Sequence, residues 1–469
     1  LQAAIKRAAD QGLSASGVAR LKRIVLEGEL RETFRASLGH DPPAAVEPMR
    51  VTMKQGAEPL RAKARKQKPE ARKWLCEFMR LLVAAGLVYV NAQAVWASCV
   101  MARPKPGGKG YRMVGDFRPP NSVTIQCAYP MPLLEEVMGF CEGARCFFTF
   151  DGLKGFWQFP LAEDCQELFT FISEDGLWTP TRVPQGSMNA AVFYQSVMEK
   201  VLAEEMNHIC VNWLDDTLGW GRGSTEDEAE VNLLDNLERV LRKLFQAGIK
   251  LSAEKAEFYL THAKWCGKIV TGDGIRHDPA RVQGLVDMEK PKTAGHLMQF
   301  VCSVNWMRTH LPGLAQVMAP LQQLQQQKLA DTTRRSKPQA DRLTIEPEEW
   351  TDDVQRSWQE TKQLLQEAVM LAHPKQDWDL LAFTDSSDLH WGLMLTQVPR
   401  EALAEGVPVE EMRHEPLAFQ SGSFRGPQLH WSATDKEAYP IVMMFQRFEH
   451  LLWKQVHLYC DHKTLAYIF

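Results

Sequence analysis

The chain has 469 residues, 45% of them hydrophobic and 24% charged, a balance that excludes a disordered or fibrous protein and leaves room for several domains. No uninterrupted apolar run reaches membrane-spanning length and no signal-peptide pattern opens the chain, so no membrane partner is expected. The net charge of −4 argues weakly against nucleic acid, yet residues 50–73 hold nine Lys or Arg against two Glu, and residues 103–118 five against one Asp. Such local stripes set the field that a phosphate backbone meets, although the first also fits a solvated charged face. The ten cysteines form no CxxC and read as reduced, mostly buried thiols of an intracellular protein.

Residues 1–40 place Ile5, Leu13, Val18, Leu21, Val25 and Leu30 at helical spacing, which predicts one or two amphipathic helices without chemistry. Asp41-Pro42-Pro43 breaks that pattern. Residues 69–85 predict a helix with Trp74, Phe78, Leu81 and Leu82 on one face and Gly86 at its stop. Residues 95–118 predict a hairpin turning through PKPGGKG, with Lys105, Lys109 and Arg112 beside the turn. Positive charge on a mobile turn suits a triphosphate clamp and an ordinary surface hairpin equally.

In CFFTFDGLKGFWQFPL, an aromatic strand ends at Asp151, followed by small residues and Phe156. A carboxylate at a strand end beside glycine is placed to touch a ligand, and a plain turn has the same pattern. RVPQG, with Gln185, leads into a helix over 189–202. Then Ile209, Val211 and Trp213 alternate with Cys210, Asn212 and Leu214 and run into Asp215 and Asp216, and a second apolar stretch, 217–220, follows. This predicts a hairpin with two acids at its tip. Aspartate is a common turn residue, but carboxylates beside buried apolar surface are costly without a positive partner.

Thr225-x-x-Glu228 is a capping box opening a helix that Gly248 ends. Trp265, Cys266 and Gly267 fall in a short strand before the TGDG turn, residues 291–345 read as helical, and the polar run 322–342 reads as a linker. From Trp378 the pattern predicts a strand ending in Asp385, two more strands, a helix from about Thr434, and a strand ending in Asp461. That is an incomplete α/β unit with acids at strand ends and in the helix.

Asp151 and the Asp215–Asp216 pair, on separate strands with a helix between and a basic hairpin upstream, resemble the right-hand reverse transcriptases. More narrowly, the chain from about Pro42 onward is similar to the pol polyprotein of gypsy-type long-terminal-repeat retrotransposons. Its markers stand in family order: VWASCV, YRMVGDFRPPN, AYPMPLLEEV, FTFDGLKGFWQ, VPQGSMNAAVFYQ, WLDD, GIKLSAEKAEF, GKIVTGDGI, FTDSSD, ATDKEAYPIV and YCDHKTLAY. The resemblance implies an α+β multidomain fold: a right-hand polymerase of fingers, palm and thumb with an antiparallel palm sheet, plus an incomplete α/β ribonuclease H-like domain. The expected division is a helical leader over 1–41, fingers and palm over 42–290, thumb or connection helices and linker over 291–372, and a truncated ribonuclease H-like domain over 373–469.

The resemblance also implies roles. Asp151 and Asp215 are expected to hold two Mg²⁺ ions, Asp216 adding nearby charge, with Mn²⁺ as a substitute. Lys105 and Arg112 would clamp the triphosphate, Phe156 would bar a ribose 2′-hydroxyl, Gln185 would touch the nucleotide or template, and Lys255 would lie near the pyrophosphate. Trp265, Cys266 and Gly267 would grip the primer end. Asp385, Glu437 and Asp461 match the first three ribonuclease H carboxylates, although Thr434-x-x-Glu437 is also a capping box and Pro440 should kink that helix. A fourth acid is expected after Asp461 and the chain stops at Phe469, so hybrid cleavage is not expected of this fragment. Departures from the family are Trp213, where Tyr or Phe is usual, and Ala191, where Pro is frequent. Implied partners are an RNA or DNA template with its primer, deoxynucleoside triphosphates, and protease and integrase segments of a longer polyprotein, in a cytoplasmic virus-like particle. The rival readings are a degenerate copy that binds nucleic acid without catalysis, and a cellular DNA polymerase with the same palm, which the C-terminal unit disfavours.

Overall fold

The computed structural model describes residues 1–37, 39–108, 110–332 and 335–465. Lys109, expected on the basic turn, and the last four residues lie outside them. Contacts divide the chain into two compact units, Leu1–Val137 with Ala144–Ala263, and Met138–Gly143 with Lys264–Phe469.

The first unit opens with α1 (Gln2–Asp10), α2 (Ala15–Lys22) and β1 (Phe34–Arg35). Ser14 caps α2 by accepting from the Gly17 N–H at 3.0 Å. This segment is built into the core of the unit: Ile5, Leu21, Val25 and Phe34 are buried with Phe148 and Leu237. The Phe34 ring stands edge-on to Phe150 and Phe258 at 6.0 and 5.8 Å.

Then come α3 (Pro69–Ala84), β2 (Val88–Val90), β3 (Ser98–Pro104) and β4 (Tyr111–Asp116). Pro69 starts α3 at a position where its missing N–H costs nothing. Of the predicted face of α3 only Leu82 is fully buried, alongside Ala71, Leu75 and Met79, while Leu81 is 65% exposed. Trp74 and Phe78 instead stack on each other at 5.0 Å on the helix flank, with Tyr111 5.9 Å from Trp74.

The chain continues through β5 (Cys146–Asp151), β6 (Phe171–Ser173), β7 (Gly176–Pro180), α4 (Ala190–Val201), β8 (Cys210–Trp213), β9 (Asp216–Gly221), α5 (Glu226–Gln246), β10 (Leu251–Ser252) and β11 (Glu257–Leu260). One sheet has the order β2-β7-β6-β3-β4 and a second β11-β5-β9-β8, while β1 pairs in parallel with β10. The second sheet is antiparallel throughout, as expected of a palm. Thr225 caps α5 as predicted, accepting from the Glu228 N–H at 3.2 Å, and Glu228 accepts from the Ser224 N–H at 2.8 Å. The helix buries Leu233, Leu237, Val240, Leu241 and Leu244 completely. Each such side chain contributes roughly 1.5–3 kcal/mol against exposure, so this face pins β9 and its acids to the unit.

The second unit takes over within β12 (Ala263–Trp265), from Lys264, and continues with β13 (Lys268–Val270), β14 (Gly274–His277), α6 (Pro279–Val286), α7 (Ala294–Asn305), α8 (Leu314–Lys328), α9 (Asp352–Gln366) and β15 (Leu371–Ala372). Its last part is β16 (Trp378–Ser386), β17 (His390–Pro399), β18 (Glu415–Ser423), α10 (Ala433–Phe448) and β19 (Val456–Tyr459). Phe300 and Trp358, 4.3 Å apart, centre a core shared by α7, α8 and α9. The predicted linker is a misreading in part. Helix α8 runs on to Lys328 because Leu321 and Leu324 keep a buried face beneath the glutamines, and Leu329 packs with Ala294 and Ala340. The final sheet has the order β18-β17-β16-β19, with β19 parallel to β16. Leu380 and Ala382 of β16 pack with Met444 and Phe448 of α10, whereas Leu381 and Phe383 belong to the opposite face. Among the described residues no helix is long and apolar enough to cross a membrane.

Candidate active sites

In the first unit the acids are placed by strand register. Asp151, last in β5, stands directly across from Asp216, first in β9, and the Gly152 N–H donates to the Asp215 carbonyl at 2.7 Å. The β8–β9 turn reverses at Leu214, whose φ of 54° is unusual for a branched residue. A buried network holds it there. Gln195 of α4 accepts from the Leu214 N–H at 2.9 Å and donates to the Asn212 carbonyl at 3.1 Å, and the Asn212 amide donates to the Leu214 carbonyl at 2.6 Å. Thr217 donates to the other end of that amide at 2.7 Å. Tyr194, fully buried, lies beneath, and a Cβ on either Gly152 or Gly155 would run into its ring or hydroxyl. Those two glycines in DGLKG therefore let the ring approach the acids.

The electrostatics follow from this crowding. Burial, then Asp215 and Asp151, push Asp216 up to about 6 against the opposing pull of Lys255. Burial likewise raises Asp215, with Asp151 adding to it. Tyr194 is raised well above an ordinary phenol by burial and then by all three carboxylates, so it stays a neutral floor. The counter-charge is Lys255, whose Nζ donates to Asp151 Oδ2 at 2.6 Å. Lys154, at φ 50°, has its pKa lowered by burial and then by Lys105 and Lys255, which puts those two lysines within its electrostatic reach.

Phe156 is half-buried and edge-on to Tyr194, centroids 5.3 Å apart. Lys105 and Arg112 are exposed on the β3–β4 hairpin, where Arg112 pairs with Arg103. Gln185 is exposed in the loop before α4, between buried Pro184 and Gly186 at φ 99°. The other basic stripe is neutralised in part, Arg50, Arg65 and Arg72 pairing with Asp164, Asp116 and Glu174. Trp265, Cys266 and Gly267 form the β12–β13 turn of the second unit, with φ 47° at Cys266 and 79° at Gly267. Sequence reasoning missed Lys154, Tyr194 and Gln195. A lysine two residues before Phe156, and a Tyr-Gln pair straight after the apolar first turn of the helix, were the available signals.

The second unit holds a tighter cluster. Asp385 near the end of β16, Glu437 in α10 and Asp461 just after β19 bring ligand atoms within 4.8 Å of one another. Among the described residues no other set of three or more such groups is drawn in that closely. The polymerase acids are more spread, and one of them is shared with a lysine. Glu437 does not close the helix: Ser432 is the cap, accepting from the Asp435 N–H at 3.2 Å. The glutamate is thus a buried interior residue whose Oε2 has no hydrogen-bond partner. Burial, then Asp461 and Asp385, raise its pKa against a hydrogen bond from Ser386. Pro440 is accommodated inside α10 without ending it. A buried carboxylate oxygen left over beside two further acids fits a divalent cation. Beside Asp385 and Asp461 opens a cavity of about 570 Å³ lined by Phe383, Met394 and Tyr459.

Comparison with known proteins identifies the two domains. The family described as reverse transcriptase (RNA-dependent DNA polymerase) matches residues 103–286, and an RNase H-like domain found in reverse transcriptase matches residues 350–458. The retrovirus-related Pol polyprotein from transposon 297 of Drosophila melanogaster is 27% identical over 363 residues, covering 77% of this chain and 31% of that protein. Its counterpart from transposon gypsy is 24% identical over 366 residues, covering 77% and 33%. The chain thus spans about a third of the length of these curated relatives. Among solved structures, a foamy viral protease-reverse transcriptase in complex with RNA/DNA hybrid superposes with a TM-score of 0.80 at 17% identity, covering 99% of this chain and 58% of that one. The same protein in complex with dsDNA gives 0.80 and 17%, with coverage of 100% and 90%.

Proposed function

The chain carries a reverse transcriptase domain followed by an RNase H-like domain, as in the Pol polyproteins of long-terminal-repeat retrotransposons, and from that premise we propose that it adds deoxynucleotides to a primer annealed to an RNA or DNA template. The observation that carries the reading is the register that sets Asp151 across from Asp216, with Asp215 beside them and Lys255 as the counter-charge. Asp151 and Asp215 are the residues proposed to hold two divalent ions, Asp216 adding negative charge. Bound there, Mg²⁺ supplies the positive charge that favours an ionised primer 3′-hydroxyl and a departing pyrophosphate.

The chain's own groups do the rest. Lys105, Arg112 and Lys154 attract the triphosphate, which binds as a polyanion and leaves as one. Phe156, braced on Tyr194, is the residue proposed to screen the sugar by clash and not by hydrogen bonding. Gln195 and Asn212 keep the hairpin tip rigid, so that the acids do not reorganise as charge develops. In the second unit, Asp385, Glu437 and Asp461 are proposed to hold a divalent ion. The test is primer extension on poly(rA)/oligo(dT) with Mg²⁺, beside Asp151→Asn. A wild-type chain that binds the duplex but never extends it would replace this reading with the non-catalytic one.

A further inference from the structure

Where α7 ends, α8 begins and the edge strand β18 passes, the second unit encloses a cavity of about 410 Å³. Its wall brings together Arg308, Arg425, Asn305, Gln322, Gln326 and Ser423, and none of its lining residues is acidic or aromatic. Among the described residues neither arginine has a carboxylate in ion-pair contact. Arg308 is the informative one. It is half-buried, and its Nη2 donates a long hydrogen bond, 3.3 Å, to the Ser421 carbonyl. Burial, and then the neighbouring Arg447, lower its pKa from the usual arginine value. A guanidinium drawn partly out of water, with one weak hydrogen bond and another cation nearby, is costly unless an anion meets it. Helix α8 contributes independently. Gly313 offers no side-chain cap, the Ala315 N–H donates to Ser421 Oγ at 2.9 Å, and Leu314 and Ala315 of the first turn line the cavity, so the positive end of a 15-residue helix lies against the same space with one of its N–H groups already taken.

We propose that this cavity takes a phosphate of a nucleic-acid backbone, met by Arg308 and Arg425, with the glutamine and asparagine amides reaching the adjoining sugar oxygens. Two forked guanidiniums match phosphate oxygens. Without an aromatic plane the site has nothing on which to stack a base, so it holds a strand without reading it. The inference rests on the proposal that the chain binds a primer–template, and adds to it a contact far in sequence from the polymerase acids.

The experiment is a salt titration of binding between the whole chain and a fluorescein-labelled RNA–DNA hybrid, beside Arg425→Glu and Arg308→Gln. Each lost phosphate contact should flatten the slope of log affinity against log salt by about 0.9, with roughly tenfold weaker binding at low salt for hybrids of unrelated sequence alike. Arg425 is exposed, so its variant remains informative even if Arg308→Gln loosens the fold. An Arg425→Glu chain with wild-type slope and affinity overturns the proposal. So does Arg425→Glu abolishing the binding of inorganic phosphate or pyrophosphate while hybrid binding is unmoved, which assigns the cavity to a free anion. If the wild-type chain binds no hybrid, the primer–template reading itself falls. An unchanged slope beside a wild type that does bind removes the cavity alone.

Discussion

Lowering the pH should unfasten the second unit through two histidines that it buries without charge. His310 is fully buried, with Nε2 3.2 Å from Lys268 Nζ and Nδ1 2.8 Å from the Val369 carbonyl. The ammonium therefore donates to Nε2, and the neutral ring keeps its proton on Nδ1. His277 at the end of β14 is 4% exposed, its ring 4.1 Å from that of His310. Burial, then Lys268, then Arg281 hold His277 at about 3, and burial, then Lys268, then His277 hold His310 at about 2. In the unfolded chain both ionise near 6.5. Because the folded values are depressed, the stability these rings lend is complete above about pH 6.5 and is lost as pH falls towards 3. At pH 5 each forfeits about 2 kcal/mol relative to pH 8, and the pair about 3–4 kcal/mol once their coupling is discounted. That is a large part of an ordinary domain's stability. His277→Leu removes one titrating ring at modest change in volume, so about half of the acid loss should vanish. Urea unfolding of the wild type and the variant at pH 8, 6.5 and 5 measures this. Equal losses in the two proteins between pH 8 and 5 would refute the neutral burial of His277.

Asp215→Asn is expected to abolish primer extension while leaving hybrid affinity within a few fold, because phosphate contacts elsewhere still hold the duplex; extension at a near-wild-type rate would sink the site assignment. Phe156→Val should raise ribonucleotide use relative to deoxynucleotide use in single-turnover incorporation, and unchanged selectivity would make Phe156 only a brace for Tyr194. Gln195→Leu strands the half-buried Leu214 N–H and frees a tip already held at φ 54°. It should cost about 1–3 kcal/mol by urea unfolding and lower kcat more than affinity, whereas full activity would separate the network from catalysis.

The strands carrying acids were legible because their patterns are local. The aromatic run into Asp151 and the alternation from Ile209 to Leu214 each fix a strand and its polar end without reference to the rest of the chain. Other readings failed where a local pattern had two solutions. On α3 the large aromatics Trp74 and Phe78 suggested the core face, but the spacing Ala71, Leu75, Met79, Leu82 took the buried face and left the rings half-buried, stacked at the margin of the core. Near Glu437 two candidate caps overlap, Ser432 and Thr434. The helix starts at the first, which leaves Glu437 inside the unit with an oxygen to spare. The glutamines of α8 masked the leucines beneath them.

A deeper limit concerns charge. Register places the acids of the first site, yet what sets their protonation comes from residues with no local tie to them. The ammonium on Asp151 belongs to Lys255, 104 residues away, and the floor under all three carboxylates is Tyr194 on a separate helix. In the second unit Glu437 is raised by burial and by Asp461 and Asp385, neither of which shares its helix. A motif therefore identifies the carboxylates but not whether they are ionised, because ionisation depends on desolvation and counter-charge that only folding assembles. That is why Asp216, with an ordinary strand-end pattern in the sequence, comes to lie near 6 in the fold. Further positive charge brought to the site would relieve the repulsion among the three carboxylates and draw Asp216 back towards an ordinary acid.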